Sequence, residues 1–162
     1  MGNRLFAKPR TFLYVLVLSL VGCRQQSSIT KQWHDEPINY LRSALVFQSA
    51  KYVETGEFAD DFDDLGIEIP RATILYEYRI DRLDEHRIQI LAIPKKKDLK
   101  SATAAVIGYG SNTRDALCIS DKPSANLLEF PEIPRDFLEN VRCPSGSSGG
   151  ELYELSPVNK NH

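Results

Sequence analysis

Four aspartates, Asp60, Asp61, Asp63 and Asp64, fall within five positions, with Glu57 and Glu68 close by. Carboxylates this dense repel one another unless water or a cation lies between them. Cation binding is therefore the first chemistry to test. A helix–loop–helix calcium site needs oxygen ligands at loop positions 1, 3 and 5, glycine at 6 and glutamate at 12. Counted from Asp61, Asp63 and Gly66 fit, but position 5 is Leu65 and position 12 is Ala72. The sequence therefore favours a capped, solvated turn leading into a buried Leu65 over a looser calcium loop.

The other chemistry-bearing residues are sparse. His34, His86 and His162 have no partners at metal-ligand spacing, and there is no H-E-x-x-H. "GYGSN" (Gly108 to Asn112) places its serine after the second glycine, so it is not a nucleophile elbow. No phosphate-cradling G-x-x-x-x-G-K-[ST] occurs. No serine, cysteine or lysine has an evident base beside it. The reading is non-enzymatic, with no catalytic residues and no cofactor.

The cysteines carry more information. The chain opens with Arg4, Lys8 and Arg10, followed by an apolar run from Thr11 to Val21. A membrane-spanning helix needs about 20 apolar residues, so this run is short. A basic start and an apolar run of roughly 7–15 residues describe a secretory signal. Leu20-Val21-Gly22-Cys23 resembles the bacterial lipoprotein pattern. That resemblance implies cleavage before Cys23 and acylation of its sulfur. An ordinary signal peptide or a retained anchor are the alternatives. Each buried CH₂ of an acyl chain contributes about 0.8 kcal/mol, so two or three chains hold a protein on a membrane. Arg24 stands where retention at the inner membrane would ask for aspartate. This leans towards the outer membrane or the periplasmic face.

Loss of residues 1–22 takes Arg4, Lys8 and Arg10 from 20 Lys+Arg. That leaves 17 against 22 Asp+Glu, a net charge of −5. Nucleic acid, which wants a basic face, is a poor partner. The remaining Cys118 and Cys143 lie outside the reducing cytoplasm on this reading and most simply pair, free thiols being the alternative.

The elements that position these residues emerge from periodicity. Residues 23–31 read as a polar tether. Asp35 can cap a helix whose first turn holds Pro37 and which runs to about Glu54. Ile38, Leu41, Leu45, Gln48 and Tyr52 share one face, and Gly56 ends the helix. Tyr40 and Phe47 widen the apolar surface and are expected under a loop. Four strands come next: Thr73 to Ile80 (with Ile74, Tyr76, Tyr78 and Ile80 on one face), Arg87 to Ile93, Ala102 to Tyr109, and Arg114 to Ile119. The third is rich in small residues, which lets a helix approach closely. Beyond Ser120, prolines punctuate the chain, and Ser145 to Gly150 reads as flexible. The expected class is α+β: one long helix on a four-stranded antiparallel sheet, with an irregular, disulfide-closed C-terminal region. The boundaries are 1–22 signal, 23–31 tether, 32–144 globular domain and 145–162 flexible tail.

"QSAKYVETGEFADDFDDLGIEIP", through Gln48, Ala50, Tyr52, Glu54, Gly56, Phe58, Asp64, Leu65, Gly66 and Ile67, resembles the type IV pilin-like G and H family. Tyr76-x-Tyr78-x-Ile80, Ala92-Ile93-Pro94, Leu99-Lys100-Ser101 and Ala116-Leu117-Cys118 extend the resemblance over Ile38 to Ser120. It implies a pilin head, half of a long helix packed on an antiparallel roll. The sequence departs from the family's pattern ahead of that head. A pilin carries a long apolar assembly helix with an early glutamate. Here the apolar run ends at Cys23, and eight residues, polar except for Ile29, lead to Gln32-Trp33. Such a head is not expected to polymerise in the usual way. The reading is a lipid-anchored envelope protein making protein contacts, as an accessory of a pilus or secretion assembly. A stand-alone surface or periplasmic binding module is the alternative.

Overall fold

The structure is a computed structural model that describes residues 26–136 and 139–151, with side chains from Asp35 onward. The chain divides into two compact units, Met1–Gln32 and Trp33–His162. The second unit carries the sheet and its core. Five antiparallel strands form one sheet in the order β1 (Tyr76–Arg82), β2 (Arg87–Pro94), β3 (Ala102–Tyr109), β4 (Asn112–Ser120) and β5 (Ser147–Gly150). With the single described helix α1 (Gln26–Thr55), this is an α+β fold.

The helix begins earlier than its capping signal suggests. Asp35 lies inside it and so does not cap it, and Pro37 is an interior residue. Gln26 to Lys31, expected as tether, is helical. That stretch contains no proline or glycine to stop a helix. Pro37 removes one backbone donor and crowds the carbonyl four residues before it, a cost that the packing of α1 on the sheet has to offset. The far end matches expectation: Gly56, at φ 79°, donates its N–H to the Tyr52 carbonyl at 2.8 Å.

One face of α1 meets one face of the sheet. Leu41, Ala44, Leu45 and Tyr52 share a core with Tyr76, Tyr78, Ile88, Ile90, Ala104, Val106 and Leu117. The strand register puts Ile80 opposite Ile90, Ile90 opposite Ala104 and Ala104 opposite Leu117, so this apolar row crosses four strands on one side. The small residues of β3 do what their size predicts. A Cβ on Gly108 would sit 2.1 Å from Cζ of Tyr52, so only glycine admits the ring there. Tyr40 packs edge-on against Tyr78, with centroids 5.1 Å apart, and so lies on the sheet. Phe47 is 44% exposed, so it is not buried beneath a loop as expected. Ile74 also departs from expectation. β1 starts at Tyr76, which leaves Ile74 83% exposed.

Two polar devices tie the helix to later segments of the chain. Glu36 Oε1 accepts from Thr73 Oγ1 at 2.7 Å and from Tyr78 Oη at 3.1 Å. Gln48 is fully buried and treats Ala59 as a strand partner. Its Nε2 donates to the Ala59 carbonyl and its Oε1 accepts the Ala59 N–H, both at 2.9 Å.

The fifth strand is the main correction to the expected fold. Composition marks Ser147–Gly150 as flexible, yet it pairs with β4, placing Leu117 opposite Gly150 and Ser120 opposite Ser147. That composition hides the pairing because serine and glycine are poor strand formers. The glycine is required by contact. A Cβ on Gly149 would lie 1.9 Å from the Leu117 carbonyl oxygen, and Gly149 has φ +149°. The rest of the expected tail, residues 152–162, lies outside the described residues.

Candidate functional site

The second face of the sheet is covered by residues 128–133 and 141–143 of the segment that links β4 to β5. Ile133 packs on Ala105 and Ala116, with Phe130 and Val141 beside it. Gln89 Nε2 reaches across to the Leu128 carbonyl at 3.0 Å, and the Arg87 guanidinium lies 5.8 Å from the Phe130 ring centroid. Cys118, on β4, is bonded to Cys143 across 25 residues, with Cα atoms 5.6 Å apart. In the chain-entropy account, closing such a loop stabilises the fold by roughly 3.5 kcal/mol.

Arg114 holds the same segment from below. Its side chain is 1% exposed. Nε donates to Glu151 Oε1 at 2.5 Å, and Nη2 pairs with the same oxygen. Nη1 donates to the carbonyls of Pro134 (2.5 Å) and Asp136 (2.6 Å), and Nη2 to that of Glu139 (3.0 Å). A planar fork with five donors suits this spread of acceptors. A buried charge persists only when paired and bonded in this way. Nothing in the local sequence around Arg114 signals it, because its partners lie 20 to 37 residues away.

Between residues 121–129 and 144–146 lies an open cleft of about 710 Å³, which the sequence did not reveal. Ser120, Pro123, Leu127 and Pro144 are among the residues that line it. Prolines that read as punctuation in sequence act here as cleft walls.

The acidic loop is arranged differently. Asp61 Oδ1 accepts the Asp64 N–H at 2.8 Å, which caps the turn. Leu65 at its end is buried, as expected for a capped turn. Asp63 pairs with Arg71 at 2.8 Å, and Asp61 lies 3.8 Å from the same guanidinium. Asp60 pairs with Arg82, whose Nη2 also bonds the Phe58 carbonyl. Asp64 offers its backbone oxygen to Lys51 Nζ at 3.4 Å. Asp61 and Asp63 thus face Arg71, while Asp60 turns to Arg82. Among the described residues, no group of three or more His, Cys, Asp or Glu is placed to hold a metal ion.

His86 Nδ1 shares a 3.2 Å hydrogen bond with Tyr52 Oη. The side chain of His34, and all of His162 and Cys23, lie outside what is described. Among the described residues, no helix is long and apolar enough to cross a membrane.

Two tyrosines on the helix-facing side of β1 are electrostatically distinct. Burial, and then the charges of Glu36 and Asp98, push the Tyr76 hydroxyl up to about 12. Burial, and then the charge and hydrogen bond of Glu36, push Tyr78 upwards as well. Both hydroxyls act as donors, Tyr76 to the Lys100 carbonyl at 3.1 Å and Tyr78 to Glu36.

Comparison with known proteins gives one finding. No curated protein and no solved structure matches the chain. A family model, Type IV pilin-like G and H, matches residues 34–144, which is most of the chain and spans α1 from His34 through β4 to the residue after Cys143. The helix-on-antiparallel-sheet fold and the disulfide-closed C-terminal segment lie in the span that this family describes, and the chain belongs to the Type IV pilin-like G and H family.

Proposed function

We propose that this pilin-like protein is held at a bacterial membrane through acylated Cys23 and presents residues 32–144 for protein contacts, as a non-enzymatic accessory of a pilus or secretion assembly. The observation that carries this reading is the family match over residues 34–144, joined to the Leu20-Val21-Gly22-Cys23 sequence ahead of it. The anchor would take over the task of an apolar assembly helix, leaving the head free to bind and not to polymerise. A location in the cell envelope, facing the periplasm or the surface, is the counterpart of the same pairing.

Two measurements test the reading together. Metabolic labelling with a fatty acid should mark the wild-type chain and leave Cys23→Ser unmarked. In-cell cross-linking of the tagged protein should recover pilus or secretion components, and lose them with Cys23→Ser. The cleft over Ser120 favours a second reading, a stand-alone surface or periplasmic binding module. In that case cross-linking would recover other envelope partners and no assembly component.

A further inference from the structure

The two ends of the sheet differ in charge. At one end, the turn from β2 to β3 holds Lys95, Lys96, Lys97 and Lys100, and the exit from β4 holds Lys122. Two backbone bonds join these loops, from the Ser120 N–H to the Ser101 carbonyl at 2.9 Å and from the Ser124 N–H to the Leu99 carbonyl at 3.0 Å. The acids within them are Asp98 and Asp121, so five cations against two anions leave +3, in a chain whose net charge is −2. Lys95, Lys96, Lys97 and Lys122 are exposed, and Lys100 is half-buried. Lys95 Nζ donates to the Thr73 carbonyl at 2.7 Å. Among the described residues, the ammonium groups of Lys97, Lys100 and Lys122 have no ion pair or hydrogen bond. The other end of the sheet holds Asp84 and Glu85 in the β1–β2 turn, with Glu54 and Glu57 at the close of α1. The arginines there are already engaged, Arg82 by Asp60 and Arg87 by Asp84.

The helix enters at the lysine-bearing end. Pro37 and Ile38 border a hollow of about 230 Å³ together with Tyr76, Lys100 and Ile119. Of the acids at this point, Glu36 turns inward to Thr73 and Tyr78, which leaves Asp35 exposed. Cys23 precedes Asp35 by twelve residues, at most about 40 Å of chain when fully extended. Thr55, which ends the helix, lies about 30 Å further along it. A lipid on Cys23 therefore holds a bilayer in closer reach of the lysine-bearing end than of the acidic one. Attraction between exposed charges fades over about 8 Å at physiological ionic strength, so the end that touches the surface decides what charge the surface meets. We propose that Lys95, Lys96, Lys97, Lys100 and Lys122 form a contact surface for the anionic phospholipid headgroups of the membrane to which the chain is tethered. The contact turns the acidic loop and the C-terminal end of α1 away from the bilayer. An acidic protein offers the same charges, but the chain itself holds only a bilayer beside these lysines. The proposal rests on the acylation of Cys23 proposed above.

Mass analysis of the chain purified from membranes first reads whether Cys23 is acylated. The acylated chain is then placed in phosphatidylcholine vesicles with or without phosphatidylglycerol, and lysine acetylation by a water-soluble ester is followed residue by residue. A chain found unacylated is tethered through the Cys23 thiol to a maleimide lipid and measured in the same way, Cys118 and Cys143 being bonded to each other. Failure of the anchor and failure of the surface are thus read separately. Expected is about fivefold slower acetylation of Lys97, Lys100 and Lys122 on the anionic vesicles, the worth of one lysine near such a surface, with the protection lost at high salt. Lys51, on α1 beside the acidic loop, should react at the same rate on both kinds of vesicle. The triple variant Lys97→Gln, Lys100→Gln, Lys122→Gln should remove the protection of Lys95 and Lys96 and leave the melting temperature unchanged, since none of the three ammonium groups holds a described contact. The proposal is overturned if neutral vesicles protect equally, if Lys51 is protected as strongly, if the triple variant keeps the protection, or if anionic vesicles protect none of these lysines. It is also overturned if the lysines cross-link to an acidic protein in cells and gain no protection from vesicles.

Discussion

The ring of Tyr52 lies directly on the backbone of Gly108, so close that a single added methyl group would overlap Cζ, Cε1 and Cε2. This contact sets the distance between α1 and β3. The ring is also stacked on Phe58, with centroids 4.5 Å apart, and so has little room to retreat. Gly108→Ala should destabilise the domain by about 3 kcal/mol, at the upper end of overpacking costs. In the Tyr52→Ala background the same change should cost less than about 1 kcal/mol, since the obstructing ring is gone. Urea denaturation of the four proteins of this cycle measures both values.

Gln48 and Ala59 predict a second cycle. Gln48→Ala leaves the Ala59 N–H and carbonyl buried without partners, at a cost of about 2–4 kcal/mol. Gln48→Glu keeps an acceptor for the N–H but sets a carboxylate oxygen against the carbonyl. It should therefore be no better than alanine at neutral pH and should improve on acidification, when the carboxyl regains a donor. Chemical denaturation at two pH values distinguishes the two variants.

Arg114 and Glu151 form a pair whose halves depend on each other. Removing the carboxylate with Glu151→Ala strands a buried guanidinium and should cost about 3–5 kcal/mol. Replacing both, as Arg114→Met with Glu151→Leu, should recover much of that loss, because an apolar pair needs no neutralisation. The carbonyls of Pro134, Asp136 and Glu139 lose their donor in the double variant. Proteolysis should accordingly cut between β4 and β5 faster than in wild type, even where global stability returns.

The tyrosines of β1 predict an alkaline limit. Their folded values lie above the usual value near 10, so the native state holds protons that the unfolded chain releases. Stability from these groups is complete below about pH 10 and is lost as pH rises through the folded value, which for Tyr76 is about 12. Phenolate absorbance should show Tyr76 and Tyr78 still protonated when exposed tyrosines have ionised. Both should ionise abruptly on unfolding. Glu36→Gln removes a charge that raises both and should lower the onset for each.

The parts of this fold that the sequence discloses are those governed by short periods. Leu41, Leu45, Gln48 and Tyr52 recur at helical spacing, and all are buried on one face. Ile88, Ile90 and Ala92 alternate, and all point into the same core. The pairing of Cys118 with Cys143 is readable from number and compartment. The hidden parts depend on distant contacts. Ser147–Gly150 has no strand propensity of its own and becomes a strand because β4 supplies the partner. Arg114 looks like any exposed strand arginine until the C-terminal segment folds over it. The aspartates suggest a cation site because sequence shows their density and not their directions. Arg71 faces Asp61 and Asp63, and Arg82 holds Asp60 elsewhere. The start of α1 is illegible because a polar stretch lacking any breaker gives no periodic signal.

The Arg114 pair also imposes an order of events on a growing chain. The guanidinium arrives with β4, but its counter-charge is at residue 151, synthesised 37 residues later. Until then four strands and the helix can assemble only around an exposed or unneutralised cation. A product truncated anywhere between β4 and Glu151 lacks that counter-charge and should be less stable than the full chain. It is the more vulnerable to degradation, so the far end of the domain serves as its own proof of completeness.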